Sequence, residues 1–193
     1  MEYMETQALV PRIFTATPTS SLTRSILIVA LSTLGLSLLA QLTLPLPWTP
    51  VPISGQTFGV TLFALLLGSR LSLASTSTYL LLGSLGLPIF ASGSTGIGGP
   101  TSGYLFGMLL SSTWVGFLAD RGWTHTYRRC WAAGFSGSLI VYLCGCIWLS
   151  RYIPLHDVAI SGFLPFVPGD LLKTGLACSL VPFAESRVRK AVQ

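Results

Sequence analysis

No charged residue occurs over 25–69, and after Arg70 none occurs over 71–119. Each gap is more than twice the roughly 20 apolar residues that cross a hydrocarbon layer about 30 Å thick. Each therefore predicts two crossings and a turn. A globule of 193 residues with only 11 Lys and Arg and 6 Asp and Glu could not cover its surface for water. The mean hydropathy of +0.69 points the same way. The fold class expected is all-α: a polytopic membrane protein, a compact bundle of six transmembrane helices in the lipid bilayer of the cell membrane.

The expected helices lie at about 25–44, 56–68, 71–86, 101–119, 130–150 and 169–183. Between the first two, Pro45, Pro47, Pro50 and Pro52 exclude a helix. Arg70 marks the next turn, and 87–100 and 151–168 read as loops. With the N-terminus inside, nine basic residues share one side: Arg12, Arg24, Arg70, Arg121, Arg128, Arg129, Arg187, Arg189 and Lys190. Arg151 falls opposite, and Lys173 lies within a helix. This bias predicts that both termini are cytoplasmic. Residues 1–24 then form a cytoplasmic arm, 25–186 the membrane domain and 187–193 a basic tail. Glu2 and Glu5 disfavour a signal or transit peptide in the arm.

The net charge of +5 does not signal nucleic acid, because the basic residues form no continuous patch. Cys130, Cys144, Cys146 and Cys178 read as small apolar filler, since their spacing suits no zinc site. No acid–base pair, nucleophile set or metal cluster is apparent, so neither enzyme chemistry nor a cofactor is expected. Small residues four apart, such as Gly103, Gly107 and Ser111, predict close helix packing. On the first helix, Ala30, Thr33 and Ser37 make a similar arrangement, a candidate face for a second membrane protein.

Asp170 and Lys173 are the ionisable residues expected at membrane depth. Three apart on a helix, they share a face and can pair. They could merely cap and snorkel at the helix end, but intramembrane charges default to a functional site, here for a small polar solute. The loop Pro-Ile-Phe-Ala-Ser-Gly-Ser-Thr-Gly-Ile-Gly-Gly-Pro (88–100) holds four glycines, Gly98 among them. It could present its backbone to a ligand, and its Gly-x-Gly is no dinucleotide loop without a preceding strand.

Four blocks carry a family resemblance. They are Val-Pro-Ile-Ser-Gly-Gln-Thr-Phe-Gly-Val (51–60), Tyr-Leu-Leu-Leu-Gly-Ser-Leu-Gly-Leu-Pro-Ile-Phe (79–90), Gly-Pro-Thr-Ser-Gly-Tyr-Leu (99–105) and Pro-Phe-Val-Pro-Gly-Asp-Leu-Leu-Lys (165–173). In order and interval the chain resembles, over about 25–185, the BioY family, the biotin-binding S components of energy-coupling factor transporters. The resemblance implies a ligand cavity near the outer surface. It also implies partnership with a transmembrane T component and two ABC-type ATPase subunits, which would supply the energy. The family's acid and lysine match Asp170 and Lys173, and Gln56, Tyr79, Phe90 and Tyr104 would add polar contacts and walls. The family pattern also places an asparagine in the glycine-rich loop. This chain has none, and Ser92 or Ser94 stands there with a shorter hydroxyl. That departure implies weaker affinity or a biotin relative as ligand. Thr33 and Ser37, where the family has alanines, make docking on a shared module less secure than binding.

Overall fold

The structure is a computed structural model that describes residues 21–192, with side chains described over 22–181. Of the arm expected over 1–24, residues 1–20 lie outside the described residues and 21–24 belong to the first helix; the side chains of the basic tail also lie outside them. Helix α1 spans Ser21–Gln41 and is followed by the proline-rich loop. That loop is pinned by two short strands, β1 (Thr43–Leu44) and β2 (Ile53–Ser54). They pair antiparallel in the register Thr43↔Ser54 and Leu44↔Ile53. Helix α2 covers Gln56–Ser84, α3 Ser102–Asp120 and α4 Tyr127–Leu149. Helix α5 is Leu155–Gly162 and α6 Val167–Val192. The architecture is thus mostly helical, with a two-residue strand pair as the one departure from all-α among the described residues.

Five stretches are long and apolar enough to cross a membrane, the last running through α5 and α6. The chain is therefore a multi-pass membrane protein by length and composition. The second stretch, α2, is not one straight rod. Gly68 stands inside it with φ 76° and ψ 179°, a backbone that glycine adopts without steric cost. The Gln56 amide lies 2.7 Å from the Tyr79 hydroxyl. In an unbroken helix those residues would stand about 35 Å apart at 1.5 Å per residue. The chain therefore folds back at Gly68, two residues before the turn expected at Arg70.

Asp120, at the end of α3, secures that reversal. Its Oδ2 accepts the Ser69 backbone N–H at 2.9 Å and the Ser69 hydroxyl at 2.6 Å. An acid at the start of the returning helical arm also suits the helix dipole there. The approach is possible because Gly116 has no side chain: a Cβ there would stand 2.6 Å from Ser69 N.

Two expectations are corrected. The stretch 151–168, expected as loop, contains α5. Pro154 just before it, Asp157 in its first turn and Gly162 at its end are ordinary boundary signals, and it is too short to span a bilayer. The first helix ends at Gln41 rather than near 44, because the chain turns into β1 ahead of Pro45.

Candidate functional site

The proline loop, the glycine-rich loop and the ends of α3, α4 and α6 enclose a cavity of about 470 Å³. This lies within the range of roughly 300–1,000 Å³ usual for small-molecule sites. One wall is aromatic and aliphatic: Phe90, Tyr104, Met108, Val141 and Phe166. The rim is formed by Pro45, Pro50 and Pro52 on one side and by Ser92, Ser94 and Gly96 on the other. Asp170 and Lys173 reach the cavity from the first turns of α6.

The acid is buried, at 5% exposure, so every hydrogen bond to it matters. Its Oδ1 accepts from Lys173 Nζ at 3.0 Å and from the Thr57 hydroxyl at 2.9 Å. Its Oδ2 accepts from the Tyr142 hydroxyl at 2.7 Å. A carboxylate has about four acceptor positions. Three are filled by the protein, which leaves one for a donor arriving in the cavity.

Lys173 is anchored on the other side as well. Its ammonium donates to the Ser54 carbonyl at 2.8 Å and to Thr57 Oγ1 at 3.2 Å. Strand β2 and the start of α2 therefore dock on α6 through this side chain, with Thr57 bonded to Asp170 as well. All three ammonium protons have protein acceptors, so an incoming acceptor has to displace one, and the 3.2 Å contact is the longest.

Gln56 sits beside this centre and is held at both ends. Its Oε1 accepts from the Ser54 hydroxyl at 2.9 Å, and its Nε2 donates to Tyr79. Tyr79 in turn donates to the Ile89 carbonyl at 3.0 Å. Its ring meets Phe90 edge-on at 5.3 Å between centroids. Tyr104 donates to the Gly162 carbonyl at 2.8 Å, which ties the cavity wall to α5.

Of the residues expected at a ligand site, the structure brings Asp170, Lys173, Gln56, Phe90, Ser92, Ser94 and Tyr104 around this one cavity. Tyr79 and Gly98 do not line it. Tyr79 is 1% exposed and stands behind Gln56, fixing the amide rather than facing a solute. Gly98 turns away, its N–H donating to Ser102 Oγ at 2.8 Å and its carbonyl accepting from Tyr152. Ser92 adopts φ 58°, unusual for a residue with a side chain, and its hydroxyl bonds Thr43 at 3.1 Å. That bond links the two loops that border the cavity.

Of the residues expected to form a docking face on α1, one turns inward. Ala30 is exposed, but Thr33 is buried and donates to the Ser75 carbonyl of α2 at 3.2 Å. Ser37 donates back to the Thr33 carbonyl at 2.8 Å. Thr33 is an intramolecular packing residue, not part of a free surface. The open face of α1 is a stripe of Leu22, Ile26, Ala30, Leu34 and Leu38.

Thr57, Tyr142 and the Ser54 carbonyl were not foreseen as part of the site. Thr57 follows Gln56 within a quoted family block. Tyr142 is a phenol in an otherwise apolar helix, a weak signal because a buried tyrosine needs only some partner.

Comparison with known proteins accords with this architecture. The family model of the BioY family matches residues 7–191. The biotin transporter BioY of Thermotoga maritima is 41% identical over 138 residues, covering 68% of this chain and 79% of that protein. A probable biotin transporter BioY of Pyrococcus horikoshii is 35% identical over 154 residues, covering 78% of this chain and 87% of its own. A crystal structure of the S-component for biotin from an ECF-type ABC transporter superposes with a TM-score of 0.77. It is 29% identical, and the match covers 92% of this chain and 96% of that one. The family match extends over nearly the whole sequence, the relatives align over most of their length, and the fold agrees: this chain belongs to the BioY family.

Proposed function

We propose that this protein captures biotin in the membrane and serves as the S component of an energy-coupling factor transporter. The observation that carries this reading is the Asp170–Lys173 pair set in the wall of a 470 Å³ cavity with aromatic and aliphatic sides. Biotin offers two ureido N–H donors, a ureido oxygen, an apolar bicycle and a carboxylate tail. The unfilled acceptor position on Asp170 suits a ureido N–H. Lys173 suits the ureido oxygen or the tail once Thr57 gives way. Phe90, Tyr104 and Phe166 supply walls for the bicycle, with Ser92 and Ser94 at the rim.

The chain crosses the membrane six times, with the two arms of α2 counted separately. The reversal at Gly68 and the Gln56–Tyr79 bond support that count. Both termini are cytoplasmic and the cavity opens outward, as the nine-to-one distribution of Lys and Arg about the ends of the spans favours. Release inward depends on a T component and two ATPase subunits. The chain is a binding and transport subunit rather than an enzyme.

The test is binding of radiolabelled biotin to the purified chain, with riboflavin and thiamine as competitors. Uptake is then measured in cells lacking their own biotin transporter, with and without coexpressed T and ATPase subunits. Saturable binding displaced by biotin alone is expected. Displacement by another vitamin but not by biotin would overturn the ligand assignment, and uptake undiminished without the partners would overturn the dependence on them.

A further inference from the structure

A second concavity lies on the outside of the bundle, separate from the cavity and sharing no lining residue with it. It is a groove of about 260 Å³ between α3 and α4, lined by Gly103, Phe106, Cys144, Ile147, Trp148 and Arg151. Gly103 makes it possible. A Cβ at that position would stand 2.2 Å from Trp148 Cβ, so only glycine lets the indole settle against α3. Phe106 and Ile147, at 59% and 63% exposed, form its open sides. The apolar surface continues along the two helices through Leu110 and Leu143, both exposed.

Five of the six lining residues are apolar or nearly so, and the sixth is a guanidinium. Arg151 lies over the Trp148 ring at 4.7 Å from its centroid. Arg151 belongs to neither the His156–Asp157 nor the Lys173–Asp170 ion pair. It also stands at the cavity end of the bundle, where the loops carry no other Lys or Arg. An exposed apolar channel with one unneutralised fork of N–H donors at its head has the chemistry of one amphiphile. The tail lies along the helices and a phosphate meets the fork.

We infer that this groove binds a single anionic phospholipid from the leaflet on the cavity side, an acyl chain between α3 and α4 and the headgroup phosphate on Arg151. Trp148 connects this site to the vitamin cavity, since its Nε1 donates to the Gly99 carbonyl at 3.0 Å and Gly99 lines that cavity. A lipid seated against the indole therefore steadies the glycine-rich loop at its last turn.

Native mass spectrometry of the full-length purified chain tests this, using dioleoyl phosphatidylglycerol and dioleoyl phosphatidylcholine, which share tails and differ in headgroup charge. One retained phosphatidylglycerol per chain is expected, with about a fivefold preference over phosphatidylcholine for one basic contact near the surface. Arg151→Gln removes the preference, whereas Cys144→Phe fills the groove and removes retention of either lipid. Equal retention of both lipids by the unaltered chain overturns the proposal without recourse to any variant. So does an unchanged preference in Arg151→Gln.

Discussion

The two ends of this bundle are built from different residues. Around the cavity the core includes five rings, three of them with polar tips: Tyr79, Tyr104 and Tyr142, beside Phe90 and Phe166. At the other end it is made of Ala64, Leu65, Val115, Leu118, Cys130, Ala133, Ala177, Cys178 and Val181, without a fully buried ring. Tyrosine hydroxyls at the first end must find acceptors, and they find them across elements: Tyr142 on Asp170, Tyr104 on Gly162, Tyr79 on Ile89. Rings held at fixed points cannot collapse inward, and the space between them persists as a cavity. At the second end small side chains let backbones touch and leave little room. A Cβ at Gly137 would stand 2.4 Å from Val115, and one at Gly134 would stand 2.6 Å from Thr174. Close approach also occurs at the cavity end, where a Cβ at Gly83 would stand 2.2 Å from Phe90 and one at Gly145 2.3 Å from Tyr104. The difference is that there the rings are pinned apart by bonds between elements, and space remains between them.

The largest effect expected is at the polar end. Lys173→Met leaves the Asp170 carboxylate buried with only the Thr57 and Tyr142 hydroxyls. Removing one partner of a buried pair costs about 3–5 kcal/mol. The Lys173 side chain is 23% exposed, so the lower figure applies. That cost is read in thermal unfolding. The ligand separately loses a hydrogen bond to a charged group, about 1.5–3 kcal/mol, so biotin affinity is expected to fall by about 10- to 100-fold in equilibrium binding. An affinity within twofold of the unaltered chain would show that the charges close the fold without serving the ligand.

Next in size is a change at the packed end. Gly116→Ala places a methyl 2.6–2.7 Å from the backbone of Gly68 and Ser69, which cannot swing aside as a side chain would. Overpacking of this kind costs about 1–3 kcal/mol. Thermal unfolding in detergent should show the loss, and the folded fraction should bind biotin with unchanged affinity. If affinity fell along with stability, the two ends would be one cooperative unit. A smaller effect separates ring from hydroxyl within the site itself. Tyr142→Phe keeps the edge-on contact with Phe163, at 5.1 Å between centroids, and deletes the bond to Asp170. A hydrogen bond to a charged group is worth about 1.5 kcal/mol, so roughly a tenfold loss of affinity is expected.

The sequence shows these two ends unevenly. Asp170 and Lys173 were legible because a charge in an apolar run has so few explanations, and the structure places them 3.0 Å apart. The membrane-spanning character of the chain was legible from the charge gaps, and the reversal within α2 lies two residues before the turn expected at Arg70. Charge marks the side of a turn, but its position is set by the residue that can take positive φ, here Gly68. Thr57 and Tyr142 were not legible, since their partner lies 113 and 28 residues away and hydroxyls in apolar helices usually satisfy themselves locally. Ser75 and Thr78 do so, bonding carbonyls one turn back. Thr33 presents a related difficulty. Small-residue spacing announces that a backbone comes close, without saying whether the neighbour belongs to the same chain.

The smallest effect sharpens the contrast most, because it applies the same methyl to the open end. Gly99 lines the cavity, lies outside the left-handed region and has nothing within 4 Å of where a Cβ would stand. Gly99→Ala therefore meets no clash, and it narrows the conformations of the unfolded loop, which favours the folded state by about 0.4–1 kcal/mol. The Trp148 bond to the Gly99 carbonyl is a backbone contact and survives the change. Unfolding temperature should stay level or rise slightly where Gly116→Ala lowers it. An equal fall in both variants would mean that the glycine-rich loop is as tightly packed as the far end, and the cavity would then owe nothing to the division of residues between them.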